Sequence, residues 1–149
     1  EALLDLLIPV RAEYVSAMSG AVPTFQLNPD DSCTVIPDTA VALGNAVGGI
    51  VSSVSSGVTL SDGLGKIRLQ KPSAGTVGSL DVVVNLGSGV ISPNSCLATL
   101  TGQVGGAAPS PILTHLLGKW CGSAYDRAPA VKVKFGASKS PFIYFRERY

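Results

Sequence analysis

The chain has 149 residues, of which 46% are hydrophobic and only 14% charged, with a formal net charge of +1. That length suits one domain around one core, and the near-neutral balance argues against a nucleic-acid partner, which demands a concentrated basic face. A charged fraction below the roughly one quarter usual in soluble domains, with 17 Gly and 10 Pro, points to a secreted or surface-assembled β protein.

Apolar and polar residues alternate nearly from end to end, the period of half-buried strands. Glu1 opens the sequence with neither an initiator Met nor a signal peptide, as expected of a processed product or a piece of a longer secreted precursor. Leu4, Leu6, Ile8, Val10, Ala12 and Tyr14 form the first apolar face, with Pro9 among them. Pro cannot donate to a ladder, so this strand belongs at an edge or breaks there. A loop is expected over residues 16–23 and a short strand over 24–27, before the turn Asn28-Pro-Asp-Asp-Ser32. Residues 34–36 and 39–43 read as further short strands, and 44–57, rich in small residues, as loose strand or loop.

The signal then sharpens. Residues 58–60 lead into the turn Ser61-Asp-Gly63, and residues 66–70 and 78–86 are the clearest strands. In the second, Leu80, Val82, Val84 and Leu86 are expected to face inward and Asp81, Val83 and Asn85 outward. Strands are expected at 96–101, 131–135 and 142–149, with a helical turn at most near 111–117. About eight to ten short antiparallel strands with turns between them predict a single β-sandwich over residues 1–149, immunoglobulin-like or jelly-roll-like. No run of about 18 uninterrupted apolar residues is present to form a membrane helix.

Chemistry is sparse. Cys33, Cys96 and Cys121 lack the paired spacing of a zinc ribbon. One disulfide and one odd thiol are expected. Cys33 and Cys96 both sit in Ser-rich turns and make the favoured pair, leaving Cys121 buried or linking subunits. His115, the sole histidine, lies among Leu113, Leu116 and Leu117 with no Gly-x-Ser-x-Gly elbow anywhere, so a structural role outweighs catalysis. Asn28, Asp30 and Asp31, with Asp62 and Asp126, offer oxygens to calcium, though Asx residues are also what a turn requires. Lys132, Lys134, Lys139, Arg146 and Arg148 make a modest basic stripe, the ordinary appearance of a solvated strand face. No cofactor is expected. Trp120 and Tyr125 are candidates for surface recognition.

Several segments in order resemble one family. They are Ile8-Pro-Val-Arg-Ala-Glu-Tyr14, Asn28-Pro-Asp-Asp-Ser-Cys-Thr34, the run from Val58 to Leu69, Pro72-Ser-Ala-Gly75, Gly78-Ser-Leu-Asp-Val82, Phe135-Gly136 and Ile143-Tyr-Phe-Arg-Glu147. Together they resemble the C-terminal region of MshQ-like proteins, associated with biogenesis of the mannose-sensitive haemagglutinin type IV pilus of bacteria. The resemblance implies a large, secreted, surface-exposed protein and carries no catalytic residues to this chain. Where that family has an Asp-x-Asp-rich stretch after a Trp, this sequence reads Lys119-Trp-Cys-Gly-Ser-Ala-Tyr-Asp126, so cation binding there is not implied.

The expectation is a non-enzymatic extracellular protein of a bacterial pilus or surface filament. Its partners would be copies of itself or other pilus components. The terminal strands are the candidate assembly elements, through Leu4, Leu6, Ile8 and Val10 at one end and Phe142, Ile143, Tyr144 and Phe145 at the other. Either could enter a neighbour's open sheet edge, and such head-to-tail contacts build filaments. The rival is a module that binds glycans or a cell surface without polymerising.

Overall fold

The computed structural model describes residues 4–73, 76–87, 106–107, 109–119 and 123–136. Within these the chain is all β. Helical structure is limited to two 3-10 turns, Asp38–Ala40 and Thr114–Leu116, the second inside the stretch expected to hold one. No helix among the described residues is long and apolar enough to cross a membrane.

The strands are β1 (Leu6–Arg11), β2 (Glu13–Ser19), β3 (Val22–Leu27), β4 (Val35–Ile36), β5 (Val41–Val47), β6 (Val54–Ser56), β7 (Val58–Thr59), β8 (Leu64–Leu69), β9 (Gly78–Val84) and β10 (Ala130–Phe135). Two three-stranded antiparallel sheets have the orders β1-β8-β6 and β10-β9-β5, and two ribbons pair β2 with β3 and β4 with β7. The expected strands at 96–101 and 142–149 lie outside the described residues.

One apolar cluster joins the two larger sheets. Ile67 and Leu69 of β8 meet Leu80, Val82 and Val84 of β9 and Val133 and Phe135 of β10. Leu6, Ile8 and Val10 of β1 close it from the side, half-buried at alternate positions. This period-two burial is what the sequence alternation required. β1 takes an edge of its sheet, where Pro9, opposite Lys66, costs the fewest ladder bonds.

The second sheet departs from its expected one-sided burial. Asp81 and Val83 are fully enclosed and Asn85 is 5% exposed, although all three point away from the main core. A second small cluster of Ala42, Val83 and Ala128, with Ala130 beside it, covers that face. Residues 106–107 also cover it, for Asn85 Nδ2 donates to the Gly106 carbonyl at 2.8 Å and the Ala107 N–H to the Thr39 carbonyl at 2.8 Å. The uninterrupted Val82-Val83-Val84 run is the mark of a strand buried on both faces.

A second departure lies near the start. The expected loop at 16–23 is the tip of a hairpin, with β2 and β3 paired from Glu13 opposite Leu27 to Ser19 opposite Val22 around one register shift between Val15 and Ala17. Its loop is Gly20-Ala21, and Gly20 has a φ of 61°. A glycine at the first central position is what a two-residue type II′ turn demands.

Candidate functional site

The hairpin is rooted firmly. The Ala12 N–H donates to the Gly63 carbonyl at 2.8 Å, and the Asn28 N–H donates to the Ala12 carbonyl at 2.9 Å. The Gly63 N–H donates to the Asp31 carbonyl at 2.8 Å, so the roots of β2 and β3 are held by the turn at Ser61-Asp-Gly63. Asp62 and Gly63 both have positive φ, 53° and 75°, as a type I′ turn requires.

Beyond this root, β2 and β3 pair only with each other among the described strands, and every residue of β2 is exposed. The register sorts their side chains. Val15 faces Phe25 and Met18 faces Pro23 on the side shared with Leu27, while Tyr14, Gln26, Ala17 and Thr24 share the other. The register slips between Val15 and Ala17, and that bulge at Ser16 keeps Met18 on the apolar side. One face of the ribbon therefore carries Val15, Met18, Pro23, Phe25 and Leu27 with Glu13 at its root, Met18 being 62% and Phe25 49% exposed, while Val22 lies on the other face. The sequence signal for the ribbon was the Gly20 turn, obscured by the small residues around it.

The expected assembly residues divide. Leu6, Ile8 and Val10 are built into the chain's own sheet, β1 lying antiparallel to β8 from Leu6 opposite Leu69 to Arg11 opposite Leu64. Leu4 precedes the strand and is 82% exposed. Tyr14, expected on the same face, belongs instead to the hairpin, because the chain turns at Ala12. Phe142, Ile143, Tyr144 and Phe145 lie outside the described residues, as do Trp120, Cys96 and Cys121. Cys33 is an exposed thiol. Tyr125 is 53% exposed, with the Lys119 ammonium 5.0 Å from its ring centroid, a cation–π contact that covers one face of the ring.

The Asx turn is satisfied from within. Asp31 Oδ1 accepts from the Thr34 N–H at 3.0 Å and the Cys33 N–H at 3.4 Å, and Oδ2 accepts from Thr34 Oγ1 at 2.8 Å. Burial pushes this carboxyl up, but the bonds from Thr34 and Cys33, with a smaller contribution from nearby His115, outweigh it and hold it below its ordinary value. Both oxygens thus serve the turn. No group of three or more His, Cys, Asp or Glu side chains gathers among the described residues. His115 is exposed on its 3-10 turn, and Leu113 is the buried residue there.

The second sheet holds a polar trio. Asp81 sits at the centre of β9, opposite Lys132 of β10 on one side and Gly44 of β5 on the other. Its Oδ1 meets Lys132 Nζ at 2.7 Å with no further donor, and its Oδ2 accepts from Asn45 Nδ2 at 2.9 Å. Lys132 therefore leaves the basic stripe in which the sequence placed it. A buried carboxylate has to be paired, and pairing draws in a side chain from each flanking strand. Nothing in the local sequence around Asn45, Asp81 or Lys132 revealed that the three would meet.

A family model described as "DUF6701, fourth domain" matches residues 1–148. No curated protein and no solved structure matches the chain.

Proposed function

The chain belongs to the DUF6701 family, whose fourth domain it forms, and on that footing we propose that it is a non-catalytic, extracellular building or adhesive module of a bacterial pilus or surface filament, of the MshQ-like kind. The observation that carries this reading is the β2–β3 ribbon, a rooted hairpin that presents Val15, Met18 and Phe25 to solvent. An apolar ribbon of this kind is a surface for another protein, either a second copy or a neighbouring component. The low charge of the chain and the edge position of β1 support the same reading. Strand exchange remains open to the molecule, since β1 forms an edge that a neighbour's strand could replace.

Immunogold labelling of intact bacteria that make the full-length protein tests the proposal. Label on the cell surface, concentrated along filaments, is the expected result, and label confined to the cell interior would overturn it. The exposed Tyr125 ring supports a second reading, a glycan-binding module. Glycan-array binding lost in a Tyr125→Ala variant, without surface filaments, would favour that reading.

A further inference from the structure

Asn45, Asp81 and Lys132 bring a carboxamide, a carboxylic acid group and a primary amine together on three adjacent strands. We propose that this trio makes an intramolecular isopeptide bond between Lys132 Nζ and Asn45 Cγ, with Asp81 carrying the protons.

Backbone geometry supports the assignment. Gly44 is in register with Asp81, so in a regular strand the next residue would point to the opposite face of the sheet. Asn45 instead has a φ of 50°, and β5 loses register between Gly44 and Val47. The bulge turns the carboxamide back onto the face of Asp81, the re-aiming of a side chain that bulges perform. Asn is among the few non-glycine residues that accept such a backbone. The amine and the carboxamide then flank one carboxyl group, each on its own oxygen. That carboxyl is fully enclosed, while the Lys132 side chain is 25% exposed, so the shared carboxylate is the nearest proton acceptor for the amine.

The chemistry balances without an oxidant or a cofactor. The Lys132 ammonium passes one proton to Asp81, leaving a neutral amine and a carboxylic acid. A half-turn of the Asn45 amide presents its oxygen to that acid, which donates to it as the amine attacks. The Nζ–Cγ bond forms while the carbonyl electron pair moves onto oxygen. Collapse of the tetrahedral carbon breaks the Cγ–Nδ2 bond, and Nδ2 takes its third proton from Nζ by way of Asp81 and leaves as ammonia. The proton lent to the carbonyl oxygen returns to Asp81 as the amide forms, so Asp81 ends as the neutral acid, one proton above its starting carboxylate. The product is a secondary amide tying β5 to β10 across β9, and the proposal stands whether or not the chain serves a filament.

Intact-mass measurement of the denatured, purified chain, followed by peptide mapping, reads the outcome. The expected mass is one ammonia, about 17 Da, below that of the sequence, with a branched peptide joining residues 45 and 132. Lys132→Arg keeps a cation opposite Asp81 and preserves folding, yet should show the full sequence mass, as should Asn45→Ala and Asp81→Asn. A wild-type chain at its full mass overturns the proposal. So does a loss of ammonia that persists in Lys132→Arg, which would be an Asn45 ring closure instead. A loss of water from a Lys132–Asp81 linkage would also overturn it.

Discussion

Asp31 and Gly63 show how single residues hold the root of the hairpin. Asp31 turns three donors inward, from the Thr34 and Cys33 backbone and the Thr34 hydroxyl. Because its folded-state value lies below the ordinary 3.8, its stabilisation is present above that value and lost as pH falls through the folded one. Asp31→Ala should cost about 1–2 kcal/mol at neutral pH. Asp31→Asn should flatten the decline in stability below about pH 4, measured as urea midpoints across an acid series. An unchanged acid limb in the Asn variant would show that the turn does not depend on this charge. Gly63 acts through space as well as φ, for a Cβ there would lie 2.2 Å from the Asn28 carbonyl oxygen. Gly63→Ala should therefore cost more than the roughly 1 kcal/mol of left-handed strain alone, seen as a lowered urea midpoint.

The β2–β3 ribbon is the element whose surface and stability separate. The ribbon pairs with no other described strand and Phe25 is half exposed, so Phe25→Ser should change the unfolding free energy by about 0.5 kcal/mol or less. The same substitution should shorten retention on a hydrophobic-interaction column, because it removes the largest exposed apolar side chain of that face. A large loss of stability with unchanged retention would mean that the ribbon is covered by its own chain. β1 behaves oppositely. Its alternate residues Leu6, Ile8 and Val10 lean on the core, so Ile8→Ala should destabilise by about 1–3 kcal/mol.

At the scale of the whole molecule, the two larger sheets stand or fall together, because one apolar cluster is shared between them. Leu69, fully buried on β8, lies in the same cluster as Val82 of β9. Leu69→Ala should cost about 2–5 kcal/mol. It should move a single denaturant transition without splitting it when fluorescence and circular dichroism are compared. Two separated transitions would show two independent cores.

Much of this molecule was written in its period. Alternation at Leu6, Ile8 and Val10 and at Ile67 and Leu69 placed those residues on a buried face, since neighbouring side chains in a strand must point opposite ways. Pro9 marked an edge, and Asp62-Gly63 a tight turn, because each residue restricts its own backbone. The run Val82-Val83-Val84 marked burial on both faces, but the enclosure of Asp81 was not legible, because a strand does not carry the identity of whatever packs on its outer face. Nor was the apolar ribbon, whose bulge at Ser16 breaks the period by which a face is recognised. The meeting of Asn45, Asp81 and Lys132 was decided only by tertiary structure, through the register of three strands distant along the chain.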